Sequence, residues 1–251
     1  VVKAVGEEAW ARFRSLGRPL DRETIKTLSP MLILAPHPDD ETLGCGGLIA
    51  TGSQLRLRPR VAYLTDGAAS HPGSRAWPRG RLAAERRDEA LEALRVLGVP
   101  GDDVIFLGWP DAAPYGPQDR PYAETLSALV DVINDAGIRS LWAPWSRESH
   151  GDHVAAARLA EAAARMTGVI VMSYLVWGWE NPRLDREIKS DTVWTLDCPR
   201  TIPRRRRALA CHRTQTTAMI TDADPGFRIP PQLAALAERP AEVFLQAVST
   251  P

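Results

Sequence analysis

The 251-residue chain is expected to fold as an α/β protein, a mostly parallel sheet with helices on both faces plus a C-terminal strand and helix extension. Three observations predict it. Short apolar runs alternate with helix-length amphipathic segments along most of the chain. The apolar runs end in polar or Gly/Pro-rich loops, as strands do when their C-terminal ends share one edge. At 44% hydrophobic residues the chain can bury a sizeable core. One domain over residues 1–251 is expected, with a helical lead-in to residue 29, a core sheet over 30–180 and an extension over 181–251.

The lead-in places Trp10, Phe13 and Leu16 at helical spacing. Met31-Leu32-Ile33-Leu34 opens a buried strand, and the polar stretch His37-Pro38-Asp39-Asp40-Glu41 follows, leading into a helix with the close-packing run Gly44-Cys45-Gly46-Gly47. The second strand is Arg60–Thr65. The loop after it, Asp66 to Arg79, is rich in Gly, Pro and Ser and reads as a rim or lid. A helix follows from Arg81 to Leu97, stopped by Gly98.

The third strand, Val104–Leu107, leads to Asp111. The next helix carries Leu126, Leu129, Val130 and Ile133 on one face. The fourth strand, Ser140–Pro144, leads to His150-Gly151-Asp152-His153 and an alanine-rich helix closed by Gly168, and the fifth is Val169–Tyr174. Beyond Glu180, Thr192–Leu196 reads as an added strand and Pro203–Arg213 as a helix with proline in its first turn. Leu233–Leu236 and Val243–Val248 read as a short helical tail.

Charge excludes some partners. Lys plus Arg and Asp plus Glu both total 31, so no global attraction to nucleic acid or an anionic membrane is expected. No apolar stretch is long enough to span a bilayer, and the first ten residues carry no signal-peptide block. Cys45, Cys198 and Cys211 are scattered and form no CxxC pair, which suits a reducing, cytoplasmic location.

Ligands of open α/β sheets bind beyond the C-terminal strand ends. Of the five histidines, His37, His71, His150 and His153 lie in such loops. His37 and Asp40, three apart across a turn, can reach one metal ion, and His153 can supply a third ligand while a position stays open for water. Asp39 is then placed to act as a base, and Asp152 to orient an imidazole. A capped helix also fits the first motif, because aspartate at a helix start accepts free backbone N–H groups. Four arginines, Arg204–Arg207, read as a solvated helix face. Trp109, Trp145, Trp177 and Trp179 near strand ends fit either sugar stacking or burial. His212 fits a site-lining or a structural role.

With these motifs in view, the chain resembles the PIG-L/LmbE-like family of zinc-dependent N-deacetylases. The resemblance rests on Pro36-His37-Pro38-Asp39-Asp40-Glu41 after a strand and on His150-Gly151-Asp152-His153. Leu64-Thr65-Asp66-Gly67 and the pair Arg86 and Glu89 support it. It implies a Rossmann-like fold and removal of acetyl groups from N-acetylglucosamine units. It implies His37, Asp40 and His153 as zinc ligands, with iron(II) as the alternative metal, and Asp39 as general base. It also implies His150 as the group that stabilises the oxyanion or protonates the amine, with Asp152 as its charge partner. Arg86 and Asp111 fall where family members contact the sugar, and His212 resembles a C-terminal histidine near the site. The lead-in before residue 30, the loop 66–80 and the region after Gln215 depart from shorter members and are expected to shape the pocket.

The expected activity is therefore metal-dependent hydrolysis of an N-acylated amino sugar or glycoconjugate, with Asp39 taking the proton of the attacking water and protonated His150 helping to hold the oxyanion. Hydrolysis of a non-sugar amide or ester, and non-catalytic carbohydrate binding, are the alternatives. A dinucleotide site is not expected, since Gly44-Cys45-Gly46-Gly47 does not match the G-x-G-x-x-G turn.

Overall fold

The computed structural model describes residues 6–188 and 192–246. Eight strands form one sheet: β1 (Arg18–Pro19), β2 (Met31–Ala35), β3 (Arg60–Thr65), β4 (Val104–Trp109), β5 (Ser140–Pro144), β6 (Ile170–Tyr174), β7 (Val193–Asp197) and β8 (Ala241–Gln246). Their order is β1-β7-β8-β6-β5-β2-β3-β4. All adjacent pairs are parallel except the two made by β8, which runs antiparallel between β6 and β7.

The main helices are α1 (Glu7–Leu16), α2 (Arg22–Thr27), α3 (Asp40–Gln54), α4 (Arg79–Leu97), α5 (Arg120–Asp135), α6 (Gly151–Thr167) and, after the four-residue α7 (Leu184–Glu187), α8 (Ile202–Cys211). Short helices α9 (Arg213–Thr216) and α10 (Pro231–Ala234) follow. Alternate side chains of β2 feed two cores. Met31, Ile33 and Ala35 pack with α3, α4 and α8, while Leu32 and Leu34 pack with α5 and α6. This is the continuous apolar strand of a sheet covered on both faces.

Two elements differ from the sequence-based expectation. The lead-in is not purely helical, because β1 pairs in parallel with β7. Residues 243–246 are strand, not helical tail, and Val243, Phe244 and Leu245 are all buried. Three consecutive apolar residues fit a doubly covered strand as well as a helix, and periodicity alone cannot separate them. The rest of that expected tail, 247 and 248, lies outside the described residues. The arginine run also departs from a solvated face. Helical rotation turns Arg205 fully inward, where it donates to the Arg239 carbonyl and lies 3.5 Å from Glu242 Oε1.

The glycine run of α3 lets the helix approach its neighbours. A Cβ at Gly44 would overlap the ring of Tyr174, whose hydroxyl is held by the Leu34 carbonyl at 2.9 Å. Alanine normally gains about 1 kcal/mol over glycine in a helix. Here overpacking of about 1–3 kcal/mol opposes that gain. Gly44→Ala is therefore expected to lower the denaturant midpoint; an unchanged or raised midpoint would contradict the close approach.

Candidate active site

The strand order makes β2 the switch point, since the chain runs outward to β3 and β4 on one side and to β5 and β6 on the other. The loops after β2 and β5 therefore face one another. They carry the His37 motif and the His150 motif, and the three rings of His37, His150 and His153 stand 4.9–5.5 Å apart between centroids. His71 does not join them. It is buried in its own loop with Nδ1 3.1 Å from Ser70 Oγ.

One ligand atom from each of His37, Asp40 and His153 lies within 4.8 Å of the others. His37 Nδ1 is 3.1 Å and His153 Nε2 3.2 Å from the same oxygen, Asp40 Oδ2. His153 is fully buried and its Nδ1 lies 3.3 Å from Glu148 Oε2. Neither of its contacts has hydrogen-bond geometry, so both ring nitrogens go without a hydrogen bond among the described residues. Buried polar atoms are rarely left this way. Two imidazoles and one carboxylate form a donor set suited to zinc and also to iron(II). The residues fit a divalent metal. A second group, His37, His150 and Asp152, meets the same distance limit but includes the partly exposed His150.

Electrostatics divides the two adjacent aspartates. Burial works against the Asp40 carboxylate, but His153 and His37 outweigh it and hold its pKa well below the ordinary value. Burial raises the Asp39 pKa to about 7, opposed in part by Arg86 and reinforced by Asp40. His153 rises to about 9: burial lowers it, and Asp40 and Glu148 more than compensate. Burial and the neighbouring imidazoles lower the pKa of His150.

Asp39 precedes α3 without a side-chain capping bond. Its φ of 135° is strained for a residue with a side chain. Three buried groups impose it. Glu41 Oε2 accepts the Asp39 N–H at 3.0 Å, and Arg86 donates to the Pro38 carbonyl (2.7 Å), the Gly67 carbonyl (2.7 Å) and Asp39 Oδ2 (3.1 Å). Fully buried His212 stands 3.3 Å from Glu41 Oε1. It therefore lies beneath Glu41, not along the cavity wall.

Asp152 lies nearer His37 than His150: its Oδ2 is 3.0 Å from His37 Nε2 and 3.9 Å from His150 Nδ1. The same oxygen accepts the Ala112 N–H. Asp111 Oδ1 is 3.2 Å from His37 Nε2, and its Oδ2 accepts the Ala69 N–H at 2.7 Å. His150 caps α6, its Nδ1 accepting from the Asp152 N–H. Glu148, which sequence reasoning passed over, accepts the N–H groups of Val176, Trp177 and Gly178 at 2.7–3.0 Å.

A cavity of about 510 Å³ opens beside this cluster. His37, Asp39, Asp40, Arg86, Asp111 and His150 line one part, and Ala69, Ser70 and Pro72 of the long loop form its rim. Of the four tryptophans near strand ends, Trp109, Trp145 and Trp179 are buried, and Trp177 lines the cavity.

Residues 32–164 match the sequence profile of the GlcNAc-PI de-N-acetylase (PIG-L) family. The chain is 28% identical to a 1D-myo-inositol 2-acetamido-2-deoxy-alpha-D-glucopyranoside deacetylase of Nocardia farcinica, in an alignment covering 74% of this chain and 80% of that one. The N,N'-diacetylchitobiose deacetylase of Pyrococcus horikoshii has the same fold, with a TM-score of 0.61, 22% identity and coverage of 84% and 80%. So does the 4-carboxy-2-hydroxymuconate hydratase of Pseudomonas putida, with a TM-score of 0.64, 15% identity and coverage of 88% and 96%. That hydratase shows that the fold alone does not decide the chemistry. The sequence match does what the fold cannot: because it takes in more than half of the 251 residues and both histidine motifs, the chain belongs to the PIG-L family.

Proposed function

We propose that the protein removes the acetyl or a related acyl group from the nitrogen of a glucosamine-type sugar or glycoconjugate. The observation that carries this reading is the buried pair of unsatisfied His153 nitrogens beside Asp40, with the protonatable Asp39 on the same cavity. The named substrates of the Nocardia and Pyrococcus relatives, both N-acetylated amino sugars, support it.

His37, Asp40 and His153 would hold the metal, zinc or iron(II), which when bound acidifies water and polarises an acyl carbonyl. Asp39 takes the proton of the attacking water. The same carboxyl can then deliver that proton to the departing amine. Arg86 and the Glu41–His212 pair hold Asp39 in place. With His150 Nδ1 occupied by the Asp152 N–H, the neutral ring carries its proton on Nε2 and donates it as a hydrogen bond to the developing oxyanion. The lowered pKa of His150 favours this neutral form over an imidazolium donor. Asp152 and Asp111 orient His37, and Asp111 offers its remaining lone pairs to sugar hydroxyls. Arg86 lines the cavity, but both of its Nη atoms are bonded to protein and its Nε is buried, so its part is to hold Asp39.

The test is release of free amine from acetylated amino sugars, screened beside acyl esters and acylated amino acids. Chelator treatment is expected to lower the rate by about a hundredfold or more, and zinc or iron(II) to restore it. Metal-loaded protein that turns over esters or non-sugar amides but no acetylated amino sugar would overturn the reading. No helix among the described residues is long and apolar enough to cross a membrane.

A further inference from the structure

The cavity is two-faced. Besides the ionisable groups, its lining holds an apolar wall of Leu43, Val176, Trp177, Phe227, Ile229 and Leu233. All but Leu43 come from chain outside the family-matched residues 32–164. The catalytic half and the apolar half thus have separate origins in the sequence. The aliphatic members offer sugar hydroxyls no hydrogen-bond partner, and polar groups buried without one lose the water they leave. A bare N-acetylated sugar fits the polar half and leaves this wall in contact with water.

The wall is also built in advance. The Phe227 N–H donates to the Ser70 carbonyl at 2.8 Å, the Ile229 N–H to the Gln215 carbonyl at 2.7 Å, and the Trp177 N–H to Glu148 at 2.7 Å. The Trp177 and Phe227 rings meet at 6.1 Å. Asp222 ties the segment to the loop after β3, accepting from Ser74 Oγ at 2.6 Å and from the N–H groups of Arg75 and Ala76 at 2.9 Å. A surface fixed at so many points loses little freedom when a ligand covers it.

We propose that the substrate is an amphipathic N-acylated amino sugar, one carrying an alkyl or aryl group that lies against the Trp177–Phe227–Ile229 wall while the sugar amide faces Asp39 and His37. This rests on the amino-sugar reading above and narrows it. The apolar group has two possible points of attachment, the glycosidic oxygen and the acyl chain itself, and both present the same surface to the wall.

The experiment compares kcat/KM for alkyl glycosides of N-acetylglucosamine, methyl to octyl, with N-acylglucosamines from acetyl to octanoyl. Full burial of one methylene is worth about fourfold, so a wall contacted on one side gives roughly twofold per methylene. A rise of at least about tenfold across one series is expected, and the series that rises reports the attachment point. Phe227→Asn is expected to flatten the slope and Phe227→Leu to keep most of it. Flat series in both arms, a slope unmoved by Phe227→Asn, or a slope lost equally in Phe227→Leu would overturn the proposal. If none of these amides is hydrolysed, the amino-sugar reading fails, and the same slopes read as Kd by calorimetry still decide whether the wall selects an apolar group.

Discussion

Asp39→Asn is expected to lower kcat by about a hundredfold to ten-thousandfold, the usual contribution of a positioned general base. Bound metal should stay near its wild-type content. The substitution keeps the shape of the side chain and an oxygen that can accept from Arg86, which lies 3.1 Å away. Arg86 also keeps its bonds to the Pro38 and Gly67 carbonyls, so the loop remains anchored. What disappears is the ability to take up a proton. Loss of metal together with activity would move Asp39 into the ligand set, and unchanged kcat would remove it from the reaction.

A pH signature separates the same variant in metal-free protein. The Asp39 pKa is raised to about 7 from 3.8, so between those values the folded wild type binds more protons at this site than the unfolded chain does. Stability contributed by the protonated carboxyl is present at acid pH and is lost as pH rises through about 7. Asparagine does not titrate. The variant should therefore gain stability relative to wild type between pH 4 and pH 8, measured as denaturant midpoints at the two ends.

Glu148→Ala is expected to have the largest effect on stability, about 3–5 kcal/mol. Three N–H groups in the turn after β6, two of them in buried bonds, lose their acceptor, and His153 loses the carboxylate beside its Nδ1. At about 2–4 °C per kcal/mol for a chain of this size, the melting temperature should fall by roughly 10 °C. Metal affinity should weaken by about 10–100-fold, the range found when a group orienting a ligand histidine is removed. Glu148→Gln separates the two roles. Its carbonyl can replace Oε1, which serves Val176 and Gly178, but its amide cannot accept from Trp177 or neutralise His153. An intermediate loss is expected, and a wild-type melting temperature for the alanine variant would dismiss Glu148 as a keystone.

The parts of this architecture that were legible in the sequence are those written in contiguous residues. Strands β2, β3 and β5 are apolar runs bounded by polar loops, and the His37 and His150 motifs each occupy a few positions after a strand. Their convergence follows from strand order. Glu148 was invisible because its partners lie about thirty residues on, in a turn whose N–H groups carry no side-chain signature. Arg205 looked like one of four solvated cations until its partner Glu242 was brought to it across the helix. The Glu41–His212 contact spans 171 residues, and nothing local to either residue announces it. Asp152 was expected beside His150, two positions away, yet cross-loop packing sets it closer to His37.

The placement of β8 has a consequence for how the molecule comes into being on the ribosome. Every other described strand is synthesised before it, yet it fills an interior slot, and until it arrives β6 and β7 each present an open edge. The nascent chain can assemble β2 through β5, with both histidine motifs, while β1 and β7 have nothing joining them to the rest of the sheet. Its arrival is then an insertion, not an addition, and pairing over so long a sequence separation is slow. A chain halted before Ala241 would carry all the proposed catalytic residues and two unpaired edges, a species suited to aggregation before it is suited to turnover.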